Sequence, residues 1–422
     1  MRLINSALPI ISSQLKIFPL AIVTLFTLGG CSWFDNGLFE NSWFSKDDDE
    51  IVPAKLIKIE AEVKLVNLWD RNLGKGAEDS AIKLVPALSG SRVFGASADG
   101  NVFGINTGNG NIVWEVNVVD FYTEEEREVA FSKNIDVITG GVGQGSGLVV
   151  VGSAAGELVA MNAEDGSLAW KAKTASEVLA PPQVSGDIVV AQSIDGKVAA
   201  YNTSDGERRW IYTTSIPSLT LRGTSTPIVT EEFVIAAFAN GRLSVLDRFR
   251  GLAGIDQRVG ISKGKSDLER LIDIDGSMVL DGSSLYAVSY QGNMVMLDLA
   301  ASGRVGWGME ASSVVGLGSG FGNVYLAGAD SKLTAITMDS KRELWASEAL
   351  LNRDITSPVT LSSYIAIGDF EGYIHLIAQS DGRFVARKKV DGDGISAPVV
   401  VDGSRLYVIT NGGRLFAMEV RS

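Results

Sequence analysis

An all-β fold, an eight-bladed β-propeller of four-stranded antiparallel blades, is what the sequence predicts, and three observations predict it. A short unit, a turn followed by an alternating apolar segment, recurs eight times along 422 residues. A second turn follows most copies, and a tryptophan often stands four residues beyond its glycine. The eighth copy stops where its own tryptophan strand is due, while a strand carrying a tryptophan precedes the first copy.

The first register reads Asp99-Gly100-Asn101-Val102-Phe103-Gly104-Ile105-Asn106, and its turn recurs with second positions at 156, 196, 241, 292, 331, 372 and 413. Most spacings are 39 to 45 residues, the length of a four-stranded blade, and two longer ones mark insertions. In the second register Gly110, Gly166, Gly206 and Gly303 are followed by Trp114, Trp170, Trp210 and Trp307, and Trp345 stands in the same place behind Lys341. Ile255 and Ala386 occupy the slot in two weaker copies. Upstream, Pro86, Pro182, Pro227, Pro358 and Pro398 precede the first turn by 14 or 15 residues, which suits a strand start, where a missing N–H removes no ladder bond. Runs such as Leu148–Val151 and Ile188–Ala191 are apolar on both faces, as strands sandwiched between stacked blades must be. Leu65-Val66-Asn67-Leu68-Trp69 supplies the missing slot, so the N-terminal strand is expected to complete the last blade and close the ring. Six tryptophans then dock one blade on the next.

Composition agrees with this reading and narrows function. Forty-seven glycines against ten prolines fit many tight hairpins. A net charge of −13 repels phosphate backbones, so no nucleic acid partner is expected. One cysteine and one histidine leave no internal disulfide and no zinc, haem or iron–sulfur constellation, and no metal is expected.

Residues 1–30 read as a lipoprotein signal peptide: Arg2 and Lys16, an apolar run over 17–28 too short for a comfortable membrane span, then Leu28-Gly29-Gly30-Cys31. Small residues before a cysteine, with leucine three positions upstream, resemble the lipobox at which bacterial lipoprotein leaders are cleaved, and make Cys31 the expected lipid attachment site. Cleavage there removes two positive charges and takes the net charge from −13 to −15. Each buried CH₂ of an attached lipid contributes roughly 0.8 kcal/mol, so stable anchoring needs more than one acyl chain. By analogy with bacterial lipoproteins, which this leader resembles and in which an aspartate after the cysteine favours the inner membrane, Ser32 implies the periplasmic side of the outer membrane as the expected location. Residues 31–64 read as a flexible tether, in which Asp47-Asp48-Asp49-Glu50 is a solvated spacer lacking the alternating ligands and central glycine of a calcium loop. Residues 65–422 form the propeller.

Of the two insertions, the first carries the acidic, helix-compatible stretch Phe121–Glu128 and ends in Gly140-Gly141-Val142-Gly143-Gln144-Gly145. That glycine run lacks a P-loop lysine and reads as a flexible loop.

Lipobox, tether, eight tryptophan-docked units and N-terminal closure together resemble the BamB family, the propeller lipoproteins of the outer-membrane β-barrel assembly machinery. Two loop segments carry the more specific likeness: Ser218-Leu219-Thr220-Leu221-Arg222-Gly223, and Asp267-Leu268-Glu269-Arg270-Leu271-Ile272-Asp273-Ile274-Asp275 in the second insertion. The resemblance implies that Leu219, Leu221 and Arg222, with Asp273 and Asp275, bind a periplasmic domain of the barrel-inserting subunit. It also implies a non-enzymatic scaffold that assists folding and insertion of outer-membrane proteins and needs no cofactor, and unfolded barrel precursors are an expected second partner, met through sheet edges or loops. Two leucines and a guanidinium suit an interface anchor, with the aspartates expected to hold Arg222 by charge-assisted hydrogen bonds. The alternative is an extra strand with Leu219 and Leu221 on its inner face and a surface charge pair.

Two rival functions share the repeat. A quinoprotein dehydrogenase needs a calcium-held quinone and commonly a disulfide of adjacent cysteines, for which no carboxylate and amide cluster or second cysteine is found. A carbohydrate-binding propeller needs solvent-facing aromatics, whereas most tryptophans sit at docking positions. His375 falls inside an alternating segment and reads as a strand residue without a nucleophile partner.

Overall fold

The computed structural model describes residues 52–77, 82–131, 134–261 and 263–422; Cys31, the expected leader and the expected tether as far as residue 51 lie outside them. Blade 1 consists of the antiparallel strands Ala87–Ser89, Arg92–Ala96, Asn101–Asn106 and Ile112–Asn117. Blades 2 to 7 repeat this plan, their first strands beginning at Ile138, Gln183, Ile228, Val279, Leu317 and Val359. Blade 8 takes three strands from one end of the chain, Val400–Asp402, Arg405–Ile409 and Arg414–Arg421, and its outer strand, Lys64–Asn72, from the other. That pairing runs from Lys64 opposite Arg421 to Asn72 opposite Arg414 and closes the ring as the sequence predicts.

The core lies between blades. Val189 and Val190, adjacent in one strand, are both fully buried but belong to different apolar clusters, one shared with blade 2 and the other with blade 4. Successive residues of a strand face opposite ways, so a middle strand must be apolar on both sides to serve two neighbours. Pro86, Pro182, Pro227 and Pro358 each stand directly before an innermost strand, where no ladder donor is lost.

Tryptophans join the blades at their outer ends. The indole Nε1–H groups of Trp69, Trp114, Trp170, Trp210, Trp307 and Trp345 donate to the carbonyls of Thr107, Ala163, Thr203, Arg248, Met338 and Gln379, each in the following blade, at 2.7 to 3.3 Å. Five of these rings lie over the turn glycine of that blade. At Gly206, with φ +73°, a Cβ would stand 2.5 Å from the Trp170 ring, so the position needs both the left-handed backbone and the missing side chain. Between blades 4 and 5 the dock is Ile255 over Gly303.

The glycine-rich run corrects an expectation. Instead of a flexible loop it forms the first of the four blade strands of blade 2, Ile138–Gly145, on the side toward the axis. Inner strands converge toward the axis, and Cβ atoms on Gly140, Gly143 and Gly145 would fall 2.6, 1.9 and 2.7 Å from the carbonyl oxygens of Val178, Pro182 and Val184. Only backbone fits there. The short segment Lys83–Leu84 adds a parallel fifth strand to this blade, opposite Gly140 and Gly141. The acidic insertion forms a helix, Glu124–Phe131, begun by a reciprocal cap: Thr123 N–H donates to Glu126 and Glu126 N–H to Thr123 Oγ1. Lys171 of blade 2 secures the insertion by donating to Phe121 O and lying 3.8 Å over the Tyr122 ring.

Candidate functional site

The predicted site residues come from two connections on one end of the propeller. Both loops lead from the outer strand of one blade to the inner strand of the next: residues 214–227 between blades 3 and 4, and 259–278 between blades 4 and 5. Leu219 is 41% exposed and the Arg222 side chain 52%, so an anchor and a charge are presented to solvent, while Leu221 is half-buried.

Buried residues of the second connection fix that loop. Ile272 and Ile274 are packed inside, Tyr290 N–H donates to the Asp273 carbonyl, and Asp273 is thereby held fully buried. Its Oδ2 accepts the Leu221 N–H at 2.6 Å. Asp275 lies beneath Gly223, where a Cβ would come within 2.7 Å of its Oδ2, so any larger residue would push the loop outward.

The expectation that both aspartates grip Arg222 is corrected. Arg222 Nη2 donates instead to Glu177 Oε1 at 2.5 Å, in the connection between blades 2 and 3. The aspartates act one layer below, on the backbone that carries Arg222. Glu177 escaped the sequence reading because it stands 45 residues from its partner. The available signal was that it is the single charged residue in 174–182.

Burial dominates the electrostatics beneath the loop. It raises Asp273 to about 6 against the pull of the Leu221 N–H and nearby backbone N–H groups, and Asp273 Oδ1 has no hydrogen-bond partner among the described residues. Asp275 is raised to about 7, by burial first and then by the charge of Asp273, with Lys83 pulling the other way. Lys83, half-buried, is pushed below its ordinary value by the loss of solvent around it, with Asp275 opposing that shift. A cavity of about 160 Å³ lined by Leu221, Arg222, Gly223, Phe238 and Asp275 adjoins one of about 90 Å³ lined by Lys83, Pro181, Asp275 and Ser357. Among the described residues no group of three or more His, Cys, Asp or Glu could hold a metal ion, and no helix is long and apolar enough to cross a membrane. What the arrangement offers chemically is a loop held from below by Asp273, with one apolar and one cationic side chain exposed.

A family model described as outer membrane protein assembly factor BamB matches residues 98–347. The protein of that name from Pseudomonas aeruginosa is 40% identical over 377 residues, 89% of this chain and 95% of the relative. The crystal structure of BamB from Moraxella catarrhalis is similar with a TM-score of 0.74 at 28% identity, over 84% of this chain and all of that one. A quinohemoprotein alcohol dehydrogenase from Comamonas testosteroni, at 14% identity and a TM-score of 0.65 over 84% of this chain and 76% of that one, shares the propeller fold.

Proposed function

The chain belongs to the family of outer membrane protein assembly factor BamB, and from that membership we propose that it is a non-enzymatic scaffold in the assembly of outer-membrane β-barrel proteins. It is held on the periplasmic side of the outer membrane through lipid on Cys31 and binds a periplasmic domain of the barrel-inserting subunit. The loop 218–223 is the contact. Leu219 supplies the apolar anchor and Arg222 the charge, Leu221 closes the inner side of the loop, and Asp273 and Asp275 hold the loop's shape from below.

One observation carries this reading. Leu219 and Arg222 are exposed on a loop whose backbone is fixed by a buried carboxylate, Asp273 to Leu221 N–H at 2.6 Å, and whose guanidinium is already aimed by Glu177. Side chains held in place before binding lose less entropy on association, so a small contact of this kind binds tightly for its area. Unfolded barrel precursors would meet the exposed outer strands of the blades by backbone pairing, which needs little side-chain specificity.

Retention of the chain on an immobilised periplasmic domain of the barrel-inserting subunit tests the site. Leu219→Ala and Arg222→Ala are each expected to weaken binding at least about tenfold, the loss of one hot-spot contact. Phe321→Ala, a 73% exposed side chain in blade 6, leaves binding unchanged. Wild-type retention in both loop variants removes the proposed contact.

A further inference from the structure

Seven of the eight blade interfaces are docked by a bulky side chain of one outer strand resting on the next blade: six tryptophans and Ile255. The interface from blade 7 to blade 8 is the exception, because its slot holds Ala386. No hairpin turn exists there to receive a ring, since the two outermost strands of blade 8, Arg414–Arg421 and Lys64–Asn72, come from opposite ends of the chain. The seam is therefore missing both halves of the dock.

Residues 52–63, the last part of the expected tether, lie across this gap. Val63 and Leu65 are buried in the cluster that contains Val385 and Ala386. The amides of Glu62 and Val63 donate to Val385 O at 2.9 and 3.4 Å, and Lys388 Nζ donates to Leu65 O at 3.1 Å. Farther along, Leu56 and Ile59 pack on the cluster between blades 6 and 7 that holds Trp345 and Phe384, and Ala54 N–H donates to Leu351 O at 2.9 Å. Three arginines also hold the segment: Arg383 forks onto Glu62 at 2.8 and 3.0 Å, Arg387 donates to Ile57 O at 2.7 Å and Arg353 to Ala54 O at 3.1 Å. Two of these are aimed from within. Arg353 is bound to the fully buried Asp369, and Arg387 Nε donates to Nδ1 of fully buried His375, whose Nε2 lies 2.9 Å from the same carboxylate.

We propose that residues 52–63 are a clasp that takes the place of the tryptophan dock at the ring's seam and keeps the closing strand Lys64–Asn72 in register. The pattern of the segment suits the task. Its inward positions, Leu56, Ile59 and Val63, are apolar, while Lys55, Lys58, Glu60 and Glu62 face solvent. A closing strand held by backbone pairing alone ends in an edge free to fray. The clasp extends its attachment over two further blades, so the strand cannot peel from its end without first releasing buried apolar groups.

Hydrogen exchange read by mass spectrometry on the full chain tests this. In the wild type the amides of Ala54, Glu62 and Val63 exchange at least tenfold more slowly than in open chain. In Leu56→Ala/Ile59→Ala the amides of Lys64–Asn72 and Arg414–Arg421 exchange at least tenfold faster, while those of Ile188–Ser193 in blade 3 keep their wild-type rates. Arg383→Ala, which removes the exposed pairs with Glu62 and Asp381 and no buried contact, gives a smaller increase confined to the same strands. Open-chain exchange of residues 54–63 in the wild type overturns the proposal, as does a double variant in which Lys64–Asn72 is unchanged or loses protection no more than blade 3 does.

Discussion

A carboxyl group that titrates near pH 7 weighs on the folded chain whenever it is ionised. Asp275 is raised from 3.8 to about 7, so the folded chain holds its proton more tightly than the unfolded chain does. The stabilisation this gives is complete below the unfolded value near 4 and is lost as pH rises through about 7. Asp275→Asn keeps a neutral group in the same place. It is expected to exceed the wild type in urea stability at pH 8 by on the order of 2 kcal/mol, less than the full shift implies because Lys83 loses an attractive neighbour. Toward pH 4 the two proteins converge. A variant displaced from the wild type by the same amount at pH 5 and at pH 8 contradicts the assignment. The residue scale is also where the sequence was least legible. That Leu219 and Arg222 belong to one loop follows from the family resemblance, because their spacing alone fits an extra strand equally well. That Arg222 turns to Glu177, and that Asp273 binds a backbone N–H instead of a guanidinium, depends on how three connections from different blades meet in space, which no local pattern encodes.

Elements were legible where the chemistry that makes them is local. A turn glycine, the strand after it and the tryptophan four residues on lie within one hairpin, so eight copies announce the blades. The repeat announces that the tryptophans dock blades, and the structure places the partner surface of each at the same turn in the next copy. Trp170 and Gly206 form one such dock, and their coupling is measurable. Trp170→Ala is expected to cost about 3–5 kcal/mol in urea unfolding, as for large aromatic truncations in a packed interior. Gly206→Ala, forced into φ +73° with a methyl 2.5 Å from the indole, costs about 1–2 kcal/mol or more. The double variant costs less than the sum by at least about 0.5 kcal/mol, because the methyl no longer meets a ring. Strict additivity would show that the two are not in contact. By contrast, the glycine run 140–145 and the segment 52–63 were read as mobile because their partners are distant. Glycines crowded by carbonyls at the axis carry the same letters as glycines in a loop, and the bonds from residues 52–63 reach partners some 300 residues away, such as Ala54 to Arg353.

For the molecule as a whole, closing a ring means that one blade must be assembled from both ends of the chain, and that blade cannot contain the hairpin that docks every other one. The clasp answers a topological problem and not a local weakness of sequence, so it should become dispensable when the topology changes. Lys64 and Arg421 are paired neighbours, and a two-residue Asn-Gly hairpin turn can join such strands. A circular permutant with residue 422 linked to residue 64 by such a turn, and new ends opened at the exposed turn Glu164–Asp165, moves the seam from blade 8 to blade 2. In the parent chain, Leu56→Ala/Ile59→Ala lowers the thermal midpoint. In the permutant, which lacks residues 52–63 altogether, blade 8 keeps its protection against hydrogen exchange and the weak strand is now Leu168–Lys173, beside the new ends and without a clasp. If blade 8 of the permutant still frays first, its weakness lies in the side chains at its interface with blade 7, where Ala386 leaves the docking slot unfilled, and not in the way the ring is closed.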